Sequence, residues 1–226
     1  MDKIFEGKTK DVYLLDDGNY RLVFKDEMTG TAGLFDPGAN TVGLTVDGAG
    51  RAGLLMSVYY FKLLEERGHP THFISAEEES MIVKPAIPFG KGLEIICRYK
   101  ALGSFIRRYG GSVQEGAPLD ALVEMTLKDD KRGDPLINED ALVALGILKQ
   151  GEYTELKNLT QGICAVIRND LALRDMELCD IKLEFGRDNS GAIMLIDEIS
   201  GGNMRVVKNG KSLPPLELSK LVLALR

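Results

Sequence analysis

Tryptophan is absent from this 226-residue chain, and histidine and cysteine are scarce. With only two histidines, catalytic triads and histidine-ligated metals have few groups to draw on. The three cysteines, Cys97, Cys164 and Cys179, are odd in number and show no CxxC spacing, which disfavours a disulfide framework or a zinc site. We therefore expect reduced thiols.

The chain also lacks an excess of positive charge and a long apolar run. Its net charge of −6 disfavours nonspecific nucleic-acid binding, because that requires a basic face. No apolar run approaches the ~18 residues of a membrane span, and the start, MDKIFEGKTK, has no apolar signal core. These features predict a cytoplasmic protein that binds small molecules rather than nucleic acid or a membrane.

The composition is otherwise that of an ordinary globular protein, 44% hydrophobic and 27% charged, and the length suffices for one large domain or two lobes. Residues 3–26 alternate as a meander of short antiparallel strands. Residues 52–68 have helical periodicity, with Gly68 as the C-cap. The glycine-rich residues 30–50 predict a loop. Strands cluster early and helices intervene later, which favours an α+β fold over a doubly wound sheet.

Pro85 and Pro88 mark a hinge between two predicted lobes, residues 1–86 and residues 87–226. The elements predicted for the second lobe are a strand at 93–100, a short helix around 103–110, a charged loop at 126–142 in which Asn138 caps the next helix, a long helix at 153–176, a hairpin, and a final helix at 217–225.

The hairpin, KLEFGRDNSGAIMLIDEISGGNMR at residues 182–205, carries charges inside two apolar strands. They are Lys182, Glu184, Asp197 and Glu198. Hard cations want such oxygen ligands, and Mg²⁺ typically takes one or two carboxylates plus substrate phosphates. The alternative is a surface ion pair between Lys182 and Asp197.

The register of the hairpin determines which carboxylates lie on the same face and can bind one cation together. A two-residue turn at positions 189–190 would place Glu184 opposite Leu195. Glu184 and Asp197 would then be diagonal neighbours on one face, about 7–8 Å apart at Cα. A loop one residue longer would instead bring Glu198 onto that face.

Gly7 and Lys8 lie between two predicted strands and carry a first signal for phosphate binding. They are not part of a Walker loop, because Asp2 stands where that motif needs glycine and no helix follows. The segment suits a flap over ATP phosphates with charge from Lys8 or Lys10, or else forms a solvated turn.

A second signal lies in EIICRYKALGSF, where Glu94 and Arg98 share a strand face and Gly103-Ser104 opens a helix. Arg98 with Ser104 at a helix N-terminus suits a monophosphate. The alternative is a capping serine beside a surface arginine.

Five segments, taken in order, resemble the motifs of one family, phosphoribosylaminoimidazole-succinocarboxamide synthase (SAICAR synthetase) of de novo purine synthesis. They are EGKTKDVY, LEIICRYKALGSFIRRYG, LKDDKRGDPLI, LCDIKLEFG, and DEIS followed by Arg205. The resemblance spans nearly the whole chain. It implies a kinase-like N-terminal antiparallel sheet, a larger ATP-grasp-like α+β lobe with ATP in the cleft between them, and a homodimer as one assembly.

The reaction implied by the resemblance begins when ATP phosphorylates the carboxylate of carboxyaminoimidazole ribotide (CAIR). The amine of L-aspartate then displaces phosphate to form an amide. Matching positions place Gly7, Lys8 and Lys10 over the ATP phosphates, the segment ending at Lys84 at the adenine edge, and Lys182 beside the reacting phosphate.

The same matching implies that Glu184 and Asp197 hold Mg²⁺. The remaining matched positions face the other substrates. They are Arg98, Ser104 and Arg205 at the ribotide 5′-phosphate, and Lys128 and Asp134 near the reacting carboxylate or the amino acid.

The chain departs from the family pattern in loops expected to face the substrates. Gly201-Gly202 replace Pro-Asp, Val206-Val207 replace Trp-Asp, and Gly48-Ala49-Gly50 replace Gly-Lys-Gly. Gly92 stands at the place of a usual proline. These changes question the substrate pair more than the reaction type.

Four functions therefore remain in view: a SAICAR synthetase, a paralogue that joins another amine or another heterocyclic carboxylate, a small-molecule kinase, and a nucleotide-binding regulator without catalysis. The retained Lys182, Glu184 and Asp197 weigh against the regulator.

Overall fold

The computed structural model describes residues 2–36, 38 and 41–224 and has a mixed α and β fold with antiparallel sheets. This confirms the α+β prediction. The N-terminal sheet has the strand order β1-β2-β3-β8-β7. Its strands are β1 (Asp2–Glu6), β2 (Lys10–Leu14), β3 (Tyr20–Phe24), β7 (Phe73–Ala76) and β8 (Ser80–Val83).

A three-stranded sheet occupies the segment for which a loop is predicted, so that prediction is wrong. Its strands are β4 (Glu27–Thr31), β5 (Leu34–Phe35) and β6 (Val42–Thr45); residues 37, 39 and 40 lie outside the described part. A Cβ on Gly43 would lie 2.3 Å from the carbonyl carbon of Gly30. Glycine here permits two strands to approach closely, which composition alone does not distinguish from a loop.

Two long helices, α1 (Ala49–Glu66) and α4 (Glu152–Ala172), contribute much of the core. Leu54, Tyr60 and Phe61 of α1 are completely buried. As predicted, α1 ends beside Gly68, which has φ +82. The predicted start of α1 is three residues late and the predicted end of α4 is four residues too far along the chain.

The C-terminal sheet has the strand order β11-β10-β12-β14-β15, and β9 and β13 also pair with β12. β11 is not predicted from the sequence. The strands are β9 (Ile87–Pro88), β10 (Leu93–Lys100), β11 (Pro118–Leu127), β12 (Glu177–Arg187), β13 (Ile193–Ile196), β14 (Met204–Lys208) and β15 (Lys211–Ser212).

The β12–β13 hairpin forms with the longer of the two loops considered. Glu184 lies opposite Ile196, so the prediction that it lies opposite Leu195 is wrong by one residue. The Gly191 N–H donates to the Asp188 carbonyl oxygen at 2.9 Å, and Gly191 has φ +89. A turn followed by a left-handed glycine is the usual three-residue hairpin loop.

Three short helices complete the fold: α2 (Ser104–Tyr109), α3 (Glu139–Ala144) and α5 (Pro215–Leu223). Asn138 caps α3 as predicted, because its side-chain oxygen accepts from the Ala141 N–H at 2.9 Å. α5 packs against α1, and Ser219 Oγ donates to the Ala52 carbonyl oxygen at 3.1 Å. Among the described helices, none is long and apolar enough to cross a membrane.

Candidate active site

Two adjoining cavities lie beside the C-terminal sheet. The larger, the glycine-loop cavity, has a volume of about 410 Å³ and is lined by residues of the β1–β2 turn, of α1 and of the hairpin. The smaller, the arginine cavity, has a volume of about 100 Å³ and contains Arg98 and Arg205 in its lining. Glu94, Lys182 and Asn203 line both cavities.

The glycine loop, residues 7–9, connects β1 to β2. The Gly7 N–H donates to the Lys10 carbonyl oxygen at 2.8 Å, and a Cβ on Gly7 would lie 2.6 Å from that same oxygen. Only glycine fits such a turn without displacing the backbone. Lys8 reaches across the mouth of the cavity, where its Nζ lies 2.6 Å from Asp130 Oδ2.

Lys10 is buried beneath the loop and faces two consecutive carboxylates. Its Nζ lies 3.1 Å from Asp197 Oδ1 and contacts Glu198 Oε1. Burial alone would lower the pKa of Lys10, but Asp197 and Glu198 reverse this effect and raise the pKa. Lys10 is therefore a permanent positive charge in the cavity at neutral pH.

Asp197 directly follows β13 and has φ +68. A regular strand sends successive side chains to opposite faces. The left-handed residue breaks this alternation, so that Asp197 and Glu198 both line the glycine-loop cavity. Aspartate is among the few residues other than glycine that tolerate such a backbone.

Glu184 projects from β12 into the same cavity and accepts a hydrogen bond from Lys128 Nζ at 2.6 Å. Burial and the charge of Asp197 raise the pKa of Glu184. Burial would also raise the pKa of Asp197, yet Lys10 and other lysines lower it to about 2. Two interacting carboxyl groups shifted in opposite directions favour a functional site over a surface ion pair.

Lys182 stands at the junction of the two cavities and donates to Glu94 Oε1 at 2.7 Å. The surface ion pair between Lys182 and Asp197 is therefore not the arrangement found. Burial alone would lower the pKa of Lys182, and the Glu94 carboxylate raises it instead. Across β10 and β12, Glu94 lies opposite Glu184, and the charge of Glu184 also raises the pKa of Lys182.

The arginine cavity is built around Arg98, which is 1% exposed. Its guanidinium donates to Glu124 at 2.7 Å, to Asp180 at 3.1 Å and to Ser104 Oγ at 2.8 Å. The sequence prediction that Arg98 and Ser104 meet is confirmed. Burial raises the pKa of Asp180, and the nearby Arg205 and Arg98 oppose that shift.

Arg205 completes this cluster from β14. It donates to Asp180 Oδ2 at 2.8 Å and to Asp36 Oδ1 at 2.9 Å. The structure thus brings Arg98, Ser104 and Arg205 to one place. Every one of these arginine contacts is to an oxygen, the atom type that a phosphate would present.

Asp134 and Lys84 occupy different kinds of position. Asp134 lines the arginine cavity, and its Oδ1 accepts from the Asp129 N–H at 2.7 Å. Lys84 is exposed at the end of β8, where its N–H donates to the His72 carbonyl oxygen at 2.7 Å. Lys84 belongs to the lining of neither cavity.

The double glycine that departs from the family pattern forms a tight loop that lines the glycine-loop cavity and packs against α5. A Cβ on Gly201 would lie 2.6 Å from Pro215 Cα. Asn203 closes the loop, because its Nδ2 donates to the Glu198 carbonyl oxygen at 2.6 Å and its Oδ1 accepts from the Ser200 N–H at 2.9 Å. Asn203, Asp180 and Lys25 are site residues to which sequence reasoning assigned no role. Asp180 lies in the quoted segment LCDIKLEFG, whereas Asn203 and Lys25 belong to none of the five segments.

The whole chain has relatives of known identity. The family model for SAICAR synthetase matches residues 3–221. Similar proteins include the phosphoribosylaminoimidazole-succinocarboxamide synthase of Clostridium tetani, 57% identical over 226 residues that cover 99% of this chain and 100% of the relative. The enzyme of that name from Methanothermobacter thermautotrophicus is 36% identical over 205 residues, 90% of this chain and 79% of the relative. A solved structure described as a type-2 SAICAR synthetase in complex with ADP superposes with a TM-score of 0.87 at 29% identity, covering 97% of each chain. The chain belongs to the SAICAR synthetase family.

Proposed function

We propose that the protein is an ATP-dependent ligase that joins CAIR to L-aspartate and yields SAICAR, ADP and phosphate. The observation that carries this proposal is the junction of the two cavities, whose shared lining includes Lys182 and Glu94. One cavity offers a glycine loop and lysines, and the other offers clustered arginines. A triphosphate and a ribotide monophosphate bound in them would meet at Lys182.

ATP is assigned to the glycine-loop cavity. The ADP complex of a structural relative supports a nucleotide as ligand. Gly7, Lys8 and Lys10 would cover the phosphates. The purine is assigned to the apolar part of the lining, which includes Val12 and Leu22, rather than to Lys84.

Glu184 and Asp197 are the proposed Mg²⁺ ligands. Among the described residues, no group of three or more His, Cys, Asp or Glu side chains could hold a metal. A pair of carboxylates therefore fits a cation that takes its other ligands from phosphate and water, as Mg²⁺ does. Bound Mg²⁺ would offset the negative charge of the phosphates. Lys10 and Lys128 could then turn from the carboxylates to the phosphate oxygens.

The 5′-phosphate of CAIR is assigned to Arg98, Ser104 and Arg205 in the arginine cavity. Guanidinium groups bind phosphate through paired hydrogen bonds of fixed geometry. Lys128 lines the glycine-loop cavity and Asp134 lines the arginine cavity. Both are assigned to the reacting carboxylate or the amino acid.

The chemistry answers a definite problem, because a carboxylate is anionic and has no leaving group. A carboxylate oxygen of CAIR attacks the γ-phosphorus of ATP, and ADP leaves with the electrons of the broken P–O bond. The neutral amine of L-aspartate attacks the resulting acyl phosphate. Phosphate leaves with the C–O bonding electrons, and the nitrogen gives up a proton, which the departing phosphate accepts. Lys182 is placed to stabilise the charge that develops on the transferred oxygens.

We also propose that the chain divides into two lobes. Residues 1–86 form a kinase-like lobe, and residues 87–226 form an ATP-grasp-like lobe. The separate five-stranded and seven-stranded sheets support it. One helix belongs to the second lobe by sequence but packs on the first, since α5 lies against α1.

ADP release by the purified protein, measured with CAIR and a panel of amines, tests the proposed function. We expect turnover that requires both CAIR and L-aspartate. Turnover with a different amine would identify a related ligase; the altered loop at Gly201-Gly202 makes that outcome informative. A phosphorylated product that is stable without amine would indicate a kinase, and nucleotide binding without turnover a regulator. Each of these three results contradicts the proposed reaction.

A further inference from the structure

A lysine outside every motif considered above lies behind the glycine loop. Lys25 directly follows β3 and lines the glycine-loop cavity. Its Nζ donates to the Gly7 carbonyl oxygen at 2.8 Å and lies 3.4 Å from Asp11 Oδ1. Its backbone N–H donates to the Thr9 carbonyl oxygen at 2.9 Å. Lys25 therefore holds the loop at both of its ends, once by side chain and once by main chain.

The glycine loop needs such an anchor because the strand that leads into it is weakly packed. All five residues of β1 are exposed, and among the described strands β1 pairs with β2 only. The hydrogen bond from Gly7 to Lys10 closes the loop on itself. The two bonds from Lys25 connect the loop to the next strand of the sheet, β3.

The neighbouring residue anchors the opposite wall of the cavity. Asp26 Oδ1 accepts from the Gly50 N–H at 2.8 Å, and Asp26 Oδ2 accepts from the Gly48 N–H at 3.2 Å. A Cβ on Gly50 would lie 2.8 Å from the Lys25 carbonyl oxygen. Lys25 and Asp26 together thus set the spacing between the glycine loop and the first turn of α1.

We propose that Lys25 is a positioning residue for nucleotide binding, which holds the glycine loop so that Lys8 and Lys10 face the bound phosphates. The identity of the ligand rests on the proposed function, whereas the anchoring of the loop does not. Lys25 acts through the loop rather than on the reacting atoms. Its loss should therefore change nucleotide affinity and the KM for ATP much more than kcat.

The test compares Lys25→Met with a matched control, Lys3→Met. Lys3 also pairs with Asp11, at 2.9 Å, but it is not part of the cavity lining. In Lys25→Met we expect amide hydrogen exchange at residues 7–10 of the nucleotide-free protein to accelerate about tenfold, and ADP affinity to fall about tenfold. The KM for ATP should rise by a similar factor, while kcat stays close to that of the unsubstituted protein. Lys3→Met should match the unsubstituted protein, and Lys25→Arg, which keeps a charged donor, should recover most of the affinity.

Equal loop exchange and equal ADP affinity in Lys25→Met and Lys3→Met would overturn the proposal. A fall in kcat at unchanged affinity would also overturn it, because it would place Lys25 at the reacting atoms. If the unsubstituted protein does not turn over CAIR and L-aspartate, the proposed function fails, but exchange and ADP affinity still decide the role of Lys25. Thermal unfolding checks that the variants fold; Lys25→Gln replaces Lys25→Met if the latter does not.

Discussion

The two cavities hold their positive charges in different ways. In the glycine-loop cavity the cations are lysines, and the exposed fraction of the Lys128 side chain is 48%. In the arginine cavity the central cation, Arg98, is buried and bound to two carboxylates and a hydroxyl. Lysine is a flexible point charge, whereas the guanidinium group is a rigid fork.

This difference fits what each cavity is proposed to do. Phosphoryl transfer changes the charge on several oxygens, and a lysine can exchange one oxygen partner for another. The ribotide phosphate keeps its charge throughout the reaction, so a fixed frame suits it. Substitutions in the glycine-loop cavity should therefore reduce mainly turnover, whereas substitutions in the arginine cavity should reduce mainly the stability of the fold.

The largest expected effect comes from Asp197→Asn. Asparagine tolerates the left-handed backbone at this position, so the variant should fold while losing the negative charge that faces Lys10 and the proposed Mg²⁺. We expect kcat to fall on the order of 10³-fold. Steady-state kinetics over a range of Mg²⁺ concentrations measures this, and near-normal turnover would remove Asp197 from the metal site.

Arg98→Met should have the largest effect on stability. It leaves Glu124 and Asp180 buried with one cation fewer. Glu124 keeps Arg108 and Asp180 keeps Arg205, so we expect a loss at the lower end of the range for broken buried ion pairs, about 3 kcal/mol. Urea unfolding measures the change. A loss below about 1 kcal/mol would show that the contacts of Arg98 with Glu124, Asp180 and Ser104 contribute little to the stability of the fold.

Gly201→Ala tests the double-glycine loop where it packs against α5. The added Cβ would lie 2.6 Å from Pro215 Cα, and we expect a loss of about 1–3 kcal/mol from overpacking. Gly111→Ala is the control, because a Cβ there meets nothing within 4 Å. Equal melting temperatures for the two variants would mean that the loop and α5 separate easily.

Lys128→Met should have the smallest effect on stability. The Lys128 side chain is 48% exposed and Glu184, although 14% exposed, keeps the charge of Lys182 nearby, so we expect the free energy of unfolding to change by less than about 1 kcal/mol. The value of kcat/KM should nevertheless fall at least about tenfold, equivalent to about 1.4 kcal/mol of transition-state stabilisation. If Lys128→Met loses stability but keeps its turnover, then the lysines of the glycine-loop cavity serve stability rather than catalysis, which contradicts the proposed difference between the cavities.

Local chemistry made some elements predictable. The cap at Asn138, the turn at Gly68 and the strand Leu93–Lys100 depend on residues close in sequence, and the structure has all three. The meeting of Arg98 with Ser104 was also predictable, because only five positions separate them.

Features that depend on distant partners were not predictable. The register of the β12–β13 hairpin depends on whether Gly191 adopts a left-handed conformation. The segment DNSG is compatible with either loop length. Lys25 acquires its role only when β3 lies beside the glycine loop. In both cases the deciding contact joins residues that the sequence does not pair. β11 is different, because its apolar residues alternate at positions 119, 121, 123, 125 and 127; this strand was missed although its pattern is present in the sequence.

Asp180 receives hydrogen bonds from Arg98 and Arg205 on the same oxygen. Two like charges are thereby set side by side during folding, and the freedom of both side chains is lost before any ligand arrives. The proposed ribotide phosphate would then have little side-chain ordering left to impose, which lowers the entropic cost of its binding. A neutral analogue of the same shape would gain none of the attraction of the two guanidinium charges, so this corner of the molecule would select its proposed ligand by charge before shape.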